Sequence, residues 1–168
     1  AAGFKQGAKG FHSHCKRNGL NLDEKLAEVT INAYREKHYY IKQFWKDCRK
    51  AVEALAGDRQ PFHFGVGGCL YVEKGWLTLP SGRRLEYRDC TSTVNPVNGY
   101  TEYSYTDKFT GSRKYLYDGR LTENIVQAVA YDVLIWQAVQ IFKHEGEALV
   151  LFTHDELAYI GAQGEAVK

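Results

Sequence analysis

The sequence contains no methionine, and it opens Ala-Ala-Gly-Phe with neither an initiator nor a helix-start signal. Such an opening reads as a sequence entered midway, by cleavage or by splitting of a longer protein. The four cysteines, Cys15, Cys48, Cys69 and Cys90, are widely spaced and form no CxxC pair. That spacing argues against a disulfide framework and for reduced thiols. No apolar run is read as long enough to span a membrane and no signal-like N-terminus is present, so a soluble intracellular chain is expected. Repeats and low-complexity segments are also absent, and the 168 residues suit one domain or two small lobes.

Strong charge of one sign is missing overall, but the two parts of the chain differ. Residues 1–60 hold 12 Lys and Arg against 7 Asp and Glu, whereas residues 61–168 hold 10 against 13. The first part is therefore a candidate surface for a polyanion.

Residues 1–60 read as helical. A first helix is expected from Phe4 to Leu20, carrying Lys9 and Lys16-Arg17 and closing at Asn18-Gly19. Asn21 or Asp23 can start a second, which runs through Leu26, Ile31, Phe44-Trp45 and Leu55 to a stop at Gly57-Asp58. That pattern is long for one helix, and a bend is expected near His38. From Pro61 the pattern changes to short strands at Cys69–Glu73, Trp76–Leu79 and Arg84–Tyr87, with a turn at Pro80-Ser81-Gly82. Asp89 to Tyr100 reads as a loop with a hairpin signal, after which Thr101–Tyr105 and Arg113–Tyr117 can pair across Asp107–Gly111. Leu121 to Lys143 reads as one long apolar, buried helix with Thr122 as its N-cap. The expected fold is α+β: a helical lobe over 1–60, then an antiparallel sheet packed on one long buried helix over 61–168.

That helix carries a narrow polar line. At about 100° per residue, Arg120, Asn124, Gln127 and Tyr131 fall within about 60° of one another. A polar line on an otherwise apolar helix is buried with partners, faces solvent, or faces a polar groove. Its donors suit the groove edges of nucleic acid, where minor-groove acceptors recur in every base pair.

The last pattern is Ala148 to Ile160, two β-prone runs around Thr153-His154-Asp155-Glu156, which reads as a hairpin. Two carboxylates at the edge of an apolar sheet are costly unless a cation meets them. A divalent metal would do so, and so would a neighbouring Arg or Lys.

Three segments, in order, resemble the family A DNA polymerases, those like DNA polymerase I and its phage-type members. Gly3-Phe4-Lys5-Gln6-Gly7-Ala8-Lys9 resembles the tail of motif B on the fingers. Leu121-Thr122-Glu123-Asn124-Ile125-Val126-Gln127-Ala128 resembles the helix that follows the first strands of the palm, and Thr153-His154-Asp155-Glu156 resembles motif C. Asn32 to Lys37 with Phe44-Trp45, and Leu77 to Arg83, extend the likeness over most of the chain. It implies fingers-type helices over 1–60 and a palm over 61–168.

What the resemblance implies is template-directed nucleotidyl transfer from dNTPs onto a DNA primer-template, with two Mg²⁺ ions stabilising the attacking and leaving oxygens. Asp155 would be the metal ligand, Glu156 a supporting carboxylate and His154 a group near the primer terminus. Gln127, Asn124 and Arg120, with His154, Phe4 and Lys9, would contact DNA. The second metal-binding Asp, in motif A, and the fingers Arg and Lys of motif B do not occur at matching positions here. A complementary polymerase chain is expected to supply them, in the cytoplasm of a bacterial or phage-infected cell and without a membrane.

Two other classes fit parts of the pattern. A non-catalytic nucleic-acid-binding module would dock its basic helices on phosphates and leave Asp155 and Glu156 unused. His12-Ser13-His14-Cys15 suggests zinc, although His12 and His14 lie about 200° apart on a helix. A paired-carboxylate hydrolase fits poorly, because adjacent strand residues point to opposite faces.

Overall fold

Asn18-Gly19 and Gly57 punctuate the helical segment as their chemistry dictates. The computed structural model describes residues 5–145, 148–153 and 156–160. Helix α1 covers Ala8–Arg17, shorter at both ends than the sequence pattern suggested. Gly19 takes φ 77°, and the Leu20 amide donates to the Cys15 carbonyl at 2.9 Å, closing the helix with a left-handed residue. Helix α2 spans Glu24–Lys37 and starts after Asp23, whose side chain makes no capping bond. His38, at φ −111° and ψ 51°, breaks the helical run where the bend was expected. Helix α3 then runs Tyr39–Ala56 and stops at Gly57, at φ 90°. There the Asp58 amide donates to the Glu53 carbonyl at 2.9 Å.

Helix α3 has one face that explains the core. Trp45, Cys48, Val52 and Leu55 recur at spacings of three and four and are all buried. Burial of a side chain such as Leu55 contributes about 1.5–3 kcal/mol each. This face packs on two antiparallel sheets. The first has the order β1-β2-β3-β4, with β1 Phe62–Phe64, β2 Leu70–Glu73, β3 Trp76–Thr78 and β4 Arg84–Glu86. Its register sets Val72 opposite Leu77 and Leu77 opposite Leu85. Three of these strands were expected, whereas β1 is three residues long and too short to show a period.

The second sheet has the order β5-β6-β7, with β5 Arg88–Val94, β6 Thr101–Thr106 and β7 Arg113–Leu116. Strand β5 lies where a loop was expected. Only Cys90 on it is buried, and Asp89 sits at φ 49° in a bulge between Arg88 and Thr91. A strand with one buried residue and a left-handed bulge has no period-two signature. The Asn95–Gly99 turn links β5 to β6, with the Asn95 amide donating to Tyr100 O at 2.9 Å.

Helix α4 runs Asp118–Glu145, one turn earlier than expected. Thr122 is therefore inside the helix, not at its cap, and its hydroxyl donates back to the Asp118 carbonyl at 2.8 Å. The Asp118 carboxylate, in the first turn, accepts from the Gly119 amide at 2.8 Å and from Lys5 Nζ. Burial also departs from the expected helix: Leu121 and Ile125 are buried, whereas Val126, Val133, Trp136 and Phe142 are exposed. By length and composition α4 can cross a membrane, with a mean hydropathy of 1.5 and 6% of the stretch buried. The expectation that no run reaches that length does not hold for α4. The core helix of a soluble protein has the same length and composition but is mostly buried.

A two-stranded sheet follows, β8 Ala148–Thr153 against β9 Glu156–Ile160. The α+β class is as expected, but the strands form three antiparallel sheets of four, three and two strands among the described residues. The chain divides into two compact units, Ala1–Asn124 and Ile125–Lys168. The change of character at Pro61 marks a switch from helix to strand within the first unit.

Candidate nucleic-acid interface and carboxylate hairpin

The polar line of α4 changes in nature along its length. Arg120 is half-buried and its guanidinium lies 6.0 Å from the centre of the Tyr117 ring. Asn124 is half-buried too, and its side-chain amide donates to the Tyr87 hydroxyl at 3.1 Å. Tyr87 is buried among the strands, and its ring meets Tyr105 edge-on at 5.1 Å. Burial pushes the Tyr87 hydroxyl well above the ordinary tyrosine range, and the Asn124 bond offsets part of that. Asn124 thus holds the helix to the strands through one amide hydrogen, while its carbonyl oxygen is a remaining acceptor. Gln127 and Tyr131, farther on, are exposed.

Tyr87 is the partner that reading the helix face by itself missed. The available signal was a half-polar aromatic at the end of the third short strand, whose hydroxyl needs a partner once buried.

The two runs pair as the antiparallel hairpin that the sequence suggested. Thr153 pairs with Glu156, Phe152 with Leu157 and Leu151 with Ala158, with an irregularity between Leu149 and Leu151. Glu156 is exposed at the first position of β9. His154 and Asp155 lie outside the described residues, as does Phe4. Among the described residues no three His, Cys, Asp or Glu side chains converge on one point. Glu156 offers the hard oxygen donor that Mg²⁺ takes, but a full site needs donors from beyond the described set.

Lys9 is exposed on α1 and lines a cleft of about 460 Å³ with His12, Asp23, Glu24, Lys25 and Glu28. Both signs of charge meet there, so Lys9 is not part of a uniformly basic surface. Of the suggested zinc trio, Cys15 is buried and His14 exposed on the same short helix, and the three do not form a metal cluster.

Beside an α+β fold and a two-stranded hairpin, the chain has a sequence relationship to a DNA polymerase. The relative is the DNA polymerase of Bacillus phage SP02, 30% identical over 156 residues that cover 90% of this chain. The chain spans 24% of that relative's length. No family model matches, and no solved structure gives a significant match.

Proposed function

We propose that the chain is a piece of a template-directed DNA polymerase of family A, phage type, carrying its motif C hairpin and its primer-template minor-groove contacts. The observation that carries this reading is the alignment with a phage DNA polymerase along 90% of the chain. The antiparallel pairing of β8 with β9 supports it further, because motif C of that family is a hairpin. Asp155 is the metal ligand, Glu156 the supporting carboxylate, and His154 lies toward the primer terminus. Gln127 and the free carbonyl of Asn124 meet the minor groove, with Arg120, Phe4 and Lys9 on the DNA backbone. Mg²⁺ held there would stabilise the attacking and leaving oxygens of nucleotidyl transfer. A carboxylate from outside these 168 residues completes the pair of metal sites, and the fingers Arg and Lys that hold the dNTP come from the same source. The assembly works without a membrane, in the cytoplasm.

The test is primer extension by the chain together with its co-purifying polymerase partner. Asp155→Ala lowers extension by at least about a hundredfold, since even a supporting group around a metal costs about 10–100-fold. Glu156→Gln costs about tenfold. Unchanged extension by Asp155→Ala would make the chain a nucleic-acid-binding module instead.

A further inference from the structure

We infer that a cavity at the side of the second sheet receives one unstacked nucleobase of single-stranded DNA, with Arg49 at the adjoining phosphate. The cavity holds about 400 Å³ and lies wholly within the first unit. That volume is in the lower part of the range of small-ligand sites. None of its residues belongs to the polar line of α4 or to the hairpin.

The lining has the composition of a stacking site. Tyr103, Tyr115 and Tyr117 line it around the edge strand β7, with Tyr103 on the side of Leu116 and Tyr115 on the other, and Val52 lines it from α3. Tyr115 is 66% and Tyr117 52% exposed, two positions apart across the end of β7. Stacking on a base would cover them, and base–aromatic stacking contributes about 1–3 kcal/mol per base without regard to sequence.

The charges select the ligand. Arg49 lines the cavity, is exposed, and enters no ion pair among the described residues. The carboxylate of Asp118 is met by Lys5. Glu102 is turned to the Asn95 amide, which donates to it at 2.7 Å. Its other acceptor positions suit the exocyclic amino group of a base. An aromatic slot with a spare cation beside it and an acceptor within it matches a nucleotide of a single strand. A base paired in a duplex cannot reach such a slot without leaving its stack. The choice of DNA rests on the polymerase reading above; the aromatic slot and the cation do not.

The test is a fluorescence anisotropy titration of the full chain with a labelled oligodeoxycytidylate of about twelve residues, a length within the usual single-strand site sizes. The buffer contains no divalent metal. An abasic strand of equal length, the double variant Tyr115→Ala/Tyr117→Ala and Arg49→Ala are compared with it. The expected result is about a tenfold or greater loss of affinity in the double variant. The abasic strand binds the unaltered chain as weakly as the base-bearing strand binds that variant. Arg49→Ala reduces the slope of log affinity against log salt by about 0.7, the share of one phosphate contact on a single strand. Tyr115→Phe/Tyr117→Phe retains binding, which separates stacking from loss of fold, and far-UV circular dichroism checks the alanine variant.

Equal affinity for abasic and base-bearing strands overturns the inference, as does binding confined to duplex DNA. Because Asp155 and Mg²⁺ take no part in the titration, its failure is distinct from failure of the polymerase reading, which rests on extension.

Discussion

The two sheets that flank α3 have nearly the same size and the same antiparallel order, yet they solve the problem of their outer faces differently. In β1–β4 the inward positions Phe64, Leu70, Val72 and Leu77 are buried. The outward positions close over themselves, with the Arg84 guanidinium 4.5 Å from the centre of the Trp76 ring and also paired with Glu73. In β5–β7 the inward side holds Cys90 and Leu116, while the outward side presents Thr91, Thr93 and Tyr115 to solvent. One arginine organises that outer side. Arg113 donates to Thr91 Oγ1 at 2.7 Å, Ser104 Oγ at 2.6 Å and the Asp89 carbonyl at 2.7 Å, so it spans all three strands and fixes the bulge. The first sheet is held by its core. The second depends more on polar bonds, and its aromatic residues remain uncovered.

The contrast can be broken at its strongest point first. Leu77→Ala in the first sheet is expected to cost about 2–5 kcal/mol in urea unfolding, because Leu77 is fully buried between β2 and β4. A cost below about 1 kcal/mol would mean that the first sheet does not depend on its core. Arg113→Ala is expected to cost less, about 1 kcal/mol, because its bonds are numerous but the side chain is exposed. Loss of amide protection in β5 with β1–β4 unchanged, read by hydrogen exchange, would confirm that it acts on one sheet.

The thiols add a test that depends on pH. Burial pushes Cys90, in the second sheet, up to about 11, and Cys48, on α3, up to about 12. Both folded values lie above the ordinary thiol value of 9.0. Their contribution to stability is therefore complete below pH 9 and is lost as pH rises through the folded values. Stability should fall on going from pH 9 to pH 11, and Cys90→Ala should flatten that fall. A flat profile in the unaltered chain would show that the thiols are not desolvated.

Much of this arrangement was legible in the sequence, and the misses share a cause. The break at His38, the stop at Gly57 and the pairing of Thr101–Tyr105 with Arg113–Tyr117 follow from local chemistry, namely a helix too long for one element, a left-handed glycine, and alternating runs around an Asp-to-Gly turn. That turn is held by Asp107, whose carboxylate accepts from Lys114 at 2.7 Å and from the Thr110 amide at 2.9 Å. The missed features need a partner distant in sequence. Strand β5 is recognisable only once Arg113 is known to brace its bulge. The bond from Asn124 to Tyr87 joins residues 37 positions apart, which no reading of one helix face reveals. Thr122 reads as the cap because the residue that opens α4, Asp118, is fixed from 113 positions away by Lys5. Of the candidate site, the hairpin was readable from two apolar runs, while the roles of Asp155 and His154 rest on resemblance.

The bond between Lys5 and Asp118 has one more consequence. It ties the segment just before α1 to the first turn of α4, 113 positions later, so fraying of that turn and release of that segment are one event rather than two.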